Sequence, residues 1–165
     1  MSRVTILWNP RNASLALQFR ETEEAARKLG IELRSLPVAT LDEIRAGIAT
    51  ASQSKAHAIL ATSDAIQTTN RALIAKLAVE HRLPLMGEFR ILAEAGALLS
   101  YGPDLNDNWL RAAEYVDRIL RGDSPADLPI QQPTKFELLI NLKTARALGI
   151  AVPPLLLARA DEVIE

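Results

Sequence analysis

Cysteine is absent from this 165-residue sequence, glycine is scarce at seven residues, and aromatic residues make up 4%. The lack of cysteine removes disulfides, thiolate nucleophiles, iron–sulfur clusters and zinc–cysteine sites together. It leaves the compartment open, because a cysteine-free domain folds equally well in cytoplasm or periplasm. The glycines stand at 30, 47, 87, 96, 102, 122 and 149. No two are placed to build a GxGxxG or Walker loop, which disfavours nucleotide-binding versions of an α/β fold. The two histidines, His57 and His81, form no HExxH or HxH arrangement, so neither a metal site nor a cofactor is expected. Ser63, in Thr62-Ser63-Asp64, lacks the flanking glycines of a nucleophile elbow, and no enzymatic activity is expected. The net charge is −1 with acids and bases interspersed, which gives no electrostatic footprint for nucleic acid or anionic lipid. No apolar run approaches the roughly 20 residues of a bilayer span.

What is present is an ordinary globular composition, 48% hydrophobic and 24% charged, at the length of one domain. Val4-Thr5-Ile6-Leu7-Trp8 reads as a buried strand stopped by Asn9-Pro10. Leu15, Phe19, Thr22, Ala26 and Leu29 recur at helical spacing, with Gly30 as a left-handed cap. Ile31 to Val38 is a second strand, and Thr40-Leu41-Asp42-Glu43 is a capping box opening a helix that turns Ile44 and Ile48 inward. Ala56 to Thr62, Pro84 to Met86, Ala97 to Tyr101 and Phe136 to Ile140 supply further strands. Between the first two of these Ile66, Leu73 and Leu77 mark one helix reaching His81. A brief helix runs through Ala95-Gly96, a longer one carries Trp109, Ala112, Val116 and Ile119, and a last one ends at Gly149. Such alternation predicts an α/β domain: a doubly wound, mostly parallel sheet of five to six strands with helices on both faces.

Ligands of open α/β sheets bind outside the carboxyl ends of the strands. The polar residues Asn9, Asn12, Ser14, Ser63, Asp64 and Glu88 gather along that edge of the inferred sheet, and Asp64, Glu88 and Asp104 each follow a strand. Hydrogen-bonding groups without a reactive one suggest binding without conversion. The competing expectation is that Asn9, Asn12 and Ser14 turn the chain and cap the first helix. Glu21, Glu23 and Glu24 lie on a solvated helix face.

Several segments carry a resemblance. Val4 to Pro10, Gly96 to Asp104, Tyr115 to Gly122 followed by Pro125 to Pro129, Gln132 to Ala145, and Arg159 to Ile164 together resemble the ABC-transporter substrate-binding family. That resemblance implies a two-lobed binding protein that captures a small molecule, amino acids or related carboxylates among them, and delivers it to an ABC permease. It implies further that residues 1–165 are one α/β domain equivalent to the C-terminal lobe, and that helix 105–121 normally packs on the other lobe. Carried over by position, Asn9, Asn12 and Ser14 match one cleft-facing loop, Ser63 with Asp64 a second, and Glu88 with Phe89 a third, where Phe89 packs on the ligand or in the core. Tyr101 to Asp104 match the hinge, and Tyr101 is a candidate contact. Asn and Ser side chains with backbone N–H groups suit a carboxylate, and Asp64 suits an ammonium. Helix 105–121, deprived of its lobe, is expected to pair in a homodimer or fold back on its own lobe. Family resemblance implies a periplasmic location, whereas Met1-Ser2-Arg3 running straight into Val4 fits a cytoplasmic chain or one whose leader lies elsewhere. The alternatives are an effector-sensing domain, a truncated interaction protein and a flavodoxin-like enzyme.

Overall fold

The apolar run near the amino terminus forms strand β1 (Arg3–Trp8) in a computed structural model that describes residues 2–165. Successive residues of a strand face opposite sides of the sheet, and β1 divides its side chains accordingly. Leu7 joins the main core with Val38, Ile44, Ile48, Ile59, Ile74 and Leu85. Ile6, also fully buried, faces the other layer, where helix α1 (Ala13–Lys28) buries Leu15 and Ala26. Gly30 adopts φ +67° just beyond α1, the left-handed conformation that ends helices and that a side chain disfavours.

On the main-core side, helix α2 (Leu41–Gln53) starts at the expected capping box, with Thr40 accepting from Glu43 N and Glu43 accepting from Thr40 N. Ile44 and Ile48 are its fully buried positions. The single helix expected from Ile66 to His81 is instead two, α3 (Ala65–Thr69) and α4 (Arg71–Glu80). Asn70 sits at the break and donates its side-chain amide to Ile66 O at 2.8 Å, a bond that competes with helix continuation. Helix α4 packs against α2, α5 (Arg90–Glu94) and α7 (Leu142–Leu148).

The sheet contains β2 (Glu32–Pro37), β3 (Ala58–Ala61), β4 (Leu85–Gly87), β5 (Leu99–Pro103), β6 (Phe136–Asn141) and β7 (Glu162–Ile164), in the order β2-β1-β3-β4-β5-β6-β7. Every neighbouring pair is parallel except β5 and β6, which run antiparallel from Leu99↔Ile140 to Pro103↔Phe136. The doubly wound α/β architecture is as expected, but the sheet has seven strands rather than five or six. The extra strand is β7, three residues long and mostly exposed, too short to display an alternation. Its register is set from outside, by Asp161 N donating to Leu138 O and Asp161 Oδ2 accepting from Leu138 N.

Between β5 and β6 the chain leaves the sheet. Helix α6 (Leu105–Leu120) buries none of its residues. One side of it faces the returning segment, where Asn108, Arg111, Ala112, Tyr115 and Ile119 line a groove closed by Leu128, Pro129 and Ile130. Tyr115 Oη donates to Pro129 O, and Arg111 donates to Thr134 Oγ1. Helix α8 (Pro154–Leu157) opens at Pro153-Pro154 and precedes β7. No helix among the described residues is long and apolar enough to cross a membrane.

Candidate functional site

The chain order of the sheet reverses at β1, with β2 on one side and β3 on the other, and such switch points open a crevice at the carboxyl ends of the strands. The loops after β1 and β3 meet there. Asn9 Nδ2 donates to Asp64 Oδ1 and Asn12 Nδ2 to Asp64 Oδ2, each at 3.1 Å. The two asparagine carbonyls serve the backbone: Asn9 Oδ1 accepts from Arg11 N, and Asn12 Oδ1 accepts from Ser14 N as the N-cap of α1. Asp64 also caps α3, accepting from Ile66 N at 3.2 Å. Burial opposes its ionisation, but the hydrogen bonds from Asn9, Asn12 and the backbone of Ile66 and Ala65 outweigh that and hold the carboxyl below its ordinary range. Asp64 is therefore an anion at neutral pH.

The adjacent pocket lies between the ends of β3 and β4 and is lined by Ser63, Gln67, Arg71, Glu88 and Phe89, with Ile74 and Leu92 behind. Glu88 accepts from Gln18 of α1, which fastens the β4 loop to the helix after β1. The same loop is set from below by Gly102. A Cβ at position 102 would lie 2.1 Å from Glu88 O, so only glycine lets β5 run beneath that carbonyl. Arg71, whose Nη1 donates to Thr68 O at 2.9 Å, is exposed at the pocket mouth.

The structure thus brings Asn9, Asn12 and Asp64 into one hydrogen-bonded cluster and Ser63, Glu88 and Phe89 into one pocket. Ser14 enters through its backbone N–H, with its side chain exposed. Tyr101 stands apart, half exposed and stacked on Phe136 at 5.9 Å. Beside it run the two chain crossings to and from α6, tied by Lys135 Nζ to Asp104 Oδ2 at 2.8 Å and by Asp104 N to Lys135 O at 3.0 Å. The hydrogen bond from Lys135 keeps the Asp104 carboxyl below its usual range despite desolvation. Sequence reasoning missed Arg71 and Gln67. Both fall inside what the sequence reads as a single helix: Arg71 opens α4 only because the helix breaks at Asn70, and Gln67 lies on the inward side of α3, so neither carried a signal of its own. Trp8, at the carboxyl end of β1, stacks on Phe19 at 4.9 Å and donates from Nε1 to Ser35 Oγ, so its ring is occupied within the fold.

The chain superposes on a conserved domain protein from Vibrio cholerae with a TM-score of 0.91 and 26% identity, covering 98% of this chain and 54% of that one. A domain from Streptococcus pneumonia, solved in complex with L-Trp, gives a TM-score of 0.90 at 24% identity over 99% of this chain and 55% of its own. In sequence, a tyrosine-binding protein of Clostridioides difficile is 22% identical over 90% of this chain. The chain spans about half the length of these proteins, 43% of the last and 54% and 55% of the first two. A family model described as ABC transporter substrate binding protein matches residues 1–164, and the chain belongs to that family.

Proposed function

We propose that this chain is the C-terminal ligand-binding lobe of an ABC-importer solute receptor and holds an amino acid or related carboxylate at the carboxyl ends of β1, β3 and β4. The observation that carries this reading is the Asn9–Asn12–Asp64 cluster, an anionic carboxylate preorganised by two amides at the switch point of the sheet. Its negative charge, held at the sheet edge, suits an ammonium group. Arg71, at the mouth of the next pocket, offers a planar guanidinium to a carboxylate, and Ser63, Glu88 and Phe89 shape the remainder. Tyr101, beside the crossings, contacts ligand only when a second wall closes over the edge. The L-Trp complex and the tyrosine-binding relative support an aromatic amino acid as ligand. The function is capture and delivery, without chemical conversion, in the periplasm and with a membrane permease as partner.

A second partner is another copy of this chain. Trp109, Val116 and Leu120 are 73%, 55% and 81% exposed. With Ala113 they follow the i, i+4, i+7, i+11 spacing of a helix–helix seam, on the side of α6 turned from the returning segment.

The binding reading is tested by thermal shift with the proteinogenic amino acids at millimolar concentration. A ligand of the folded state present at 100 times its Kd stabilises by about 2.7 kcal/mol. The expected result is a shift from an aromatic amino acid that Asp64→Ala and Arg71→Ala each weaken at least about tenfold, the loss of one charged hydrogen bond. A flat screen across all amino acids would remove the reading.

A further inference from the structure

One wall of the candidate pocket is the junction of the β4 loop and α5, where Glu88, Phe89, Ile91 and Leu92 line it. Local physics does little to hold that wall. Helix α5 has five residues, and so short a helix is unstable by itself. Its N-cap is Phe89, whose side chain has no group that can accept from the first backbone N–H groups. Arg90 in the first turn sets a base against the positive end of the helix dipole. A residue that breaks local rules is accounted for by what it meets elsewhere. Arg90 reaches away along the sheet edge. Its Nε donates to Glu94 Oε1 at 2.9 Å, Nη1 to Glu137 Oε2 at 3.0 Å and Nη2 to Glu162 Oε2 at 2.6 Å. One guanidinium thereby ties the pocket wall across β5 to both β6 and β7, a task its rigid fork of donors suits and a lysine does not.

We propose that Arg90 is a positioning residue for ligand capture: through its three carboxylates it fixes the Glu88–Phe89 wall, and it does not touch the ligand. The proposal rests on the amino-acid reading above and adds the device that keeps one side of the site formed in advance. A wall already in place raises affinity by removing an ordering cost from binding. The clamp also answers to acid. Burial pushes the Glu137 carboxyl above its usual range; Arg90 opposes the push, and Asp104 and Glu162 add to it. Lys135 and Glu94 complete the charges around the clamp. The Glu137 arm is ionic above that raised value and is lost as pH falls through it, whereas Asp64 stays ionised to lower pH.

Calorimetric titration with L-tryptophan and L-tyrosine tests the role of Arg90, each variant being measured below its own melting transition. Arg90→Met is expected to weaken binding at least about threefold, as the loss of coupling between neighbouring residues does. Glu137→Gln keeps the shape of the cluster and stays informative if the larger change unfolds the chain. The affinity of the unaltered chain should fall on acidification from pH 7 toward the ordinary glutamate value of 4.5. Glu137→Gln should bind at pH 7 as the unaltered chain does in acid, without that fall. Unchanged affinity in Arg90→Met, or a pH profile that Glu137→Gln shares with the unaltered chain, overturns the role of Arg90 and leaves the amino-acid reading standing. Absence of binding by both ligands in the unaltered chain overturns the two together.

Discussion

Asp64 does two jobs with one carboxylate, since the oxygens that would meet an ammonium group also cap α3 and fasten the loop after β1. Removing it is expected to cost about 1–3 kcal/mol, the range of a lost cap together with hydrogen bonds to a charged group. The folded carboxyl sits below its ordinary value of 3.8, so its stabilisation is complete above that value and is lost as pH falls through the lower folded one. Urea denaturation of the unaltered chain and Asp64→Ala should therefore differ most near pH 7 and converge in strong acid; a gap independent of pH would contradict the linkage. Gly102 gives a second residue-scale prediction. Gly102→Ala forces a methyl into Glu88 O, which should lower stability by about 1–3 kcal/mol as overpacking does and displace the Glu88 loop, with a smaller ligand-induced thermal shift. The candidate residues were legible in the sequence because polar side chains immediately after strands stand out. Which of them bond to each other was not, since the Asn9–Asp64 and Gln18–Glu88 contacts join positions far apart in the chain. The amides of Asn9 and Asn12, read as groups for a ligand carboxylate, each spend one of their two hydrogens on Asp64.

At the scale of elements, local signals were faithful wherever local physics decides the outcome. The capping box at Thr40, the glycine turn after α1 and the apolar pairs of α2 each arise within one or two helical turns, and each was readable. Three places were misread for nonlocal or subtle reasons: α3 and α4 separate at a side-chain bond from Asn70 that helical periodicity does not register, the four-residue α8 is too short to show a period, and β7 exists because β6 offers it an edge. Helix α6 lies at the other extreme. Its apolar pattern predicts a helix correctly, yet its 16 residues include none that is buried, so the returning segment, the Asp104 cap and its own ion pairs hold it in place of core packing. Elements with little buried apolar surface open with small free energies. Hydrogen exchange in dilute solution should show α6 amides exchanging about a hundredfold or more faster than those of α2, a difference of roughly 3 kcal/mol in opening free energy at the low end of that range. Equal protection of the two helices would mean that α6 is anchored by contacts other than these.

For the whole molecule the exposed seam of α6 decides what the chain does in company. Contiguous apolar faces of this kind seldom stay uncovered on soluble proteins, and the seam carries features that suit its own copy. Residues 105–121 contain three acids, Asp107, Glu114 and Asp117, and three bases, Arg111, Arg118 and Arg121, so two helices meet without net repulsion. Placed antiparallel about a two-fold axis, they oppose their dipoles and bring Trp109 of each to the Leu120 end of the other. Sedimentation equilibrium should accordingly give a mass that rises with concentration toward twice 18.1 kDa, and Trp109→Glu or Leu120→Lys should return it to the monomer without lowering the melting temperature of the dilute chain, because neither side chain is buried. Protection of the α6 amides should rise with concentration in parallel. A monomeric mass at high micromolar concentration, with Trp109 freely quenched by solvent probes, would refute pairing and leave the seam to a different partner.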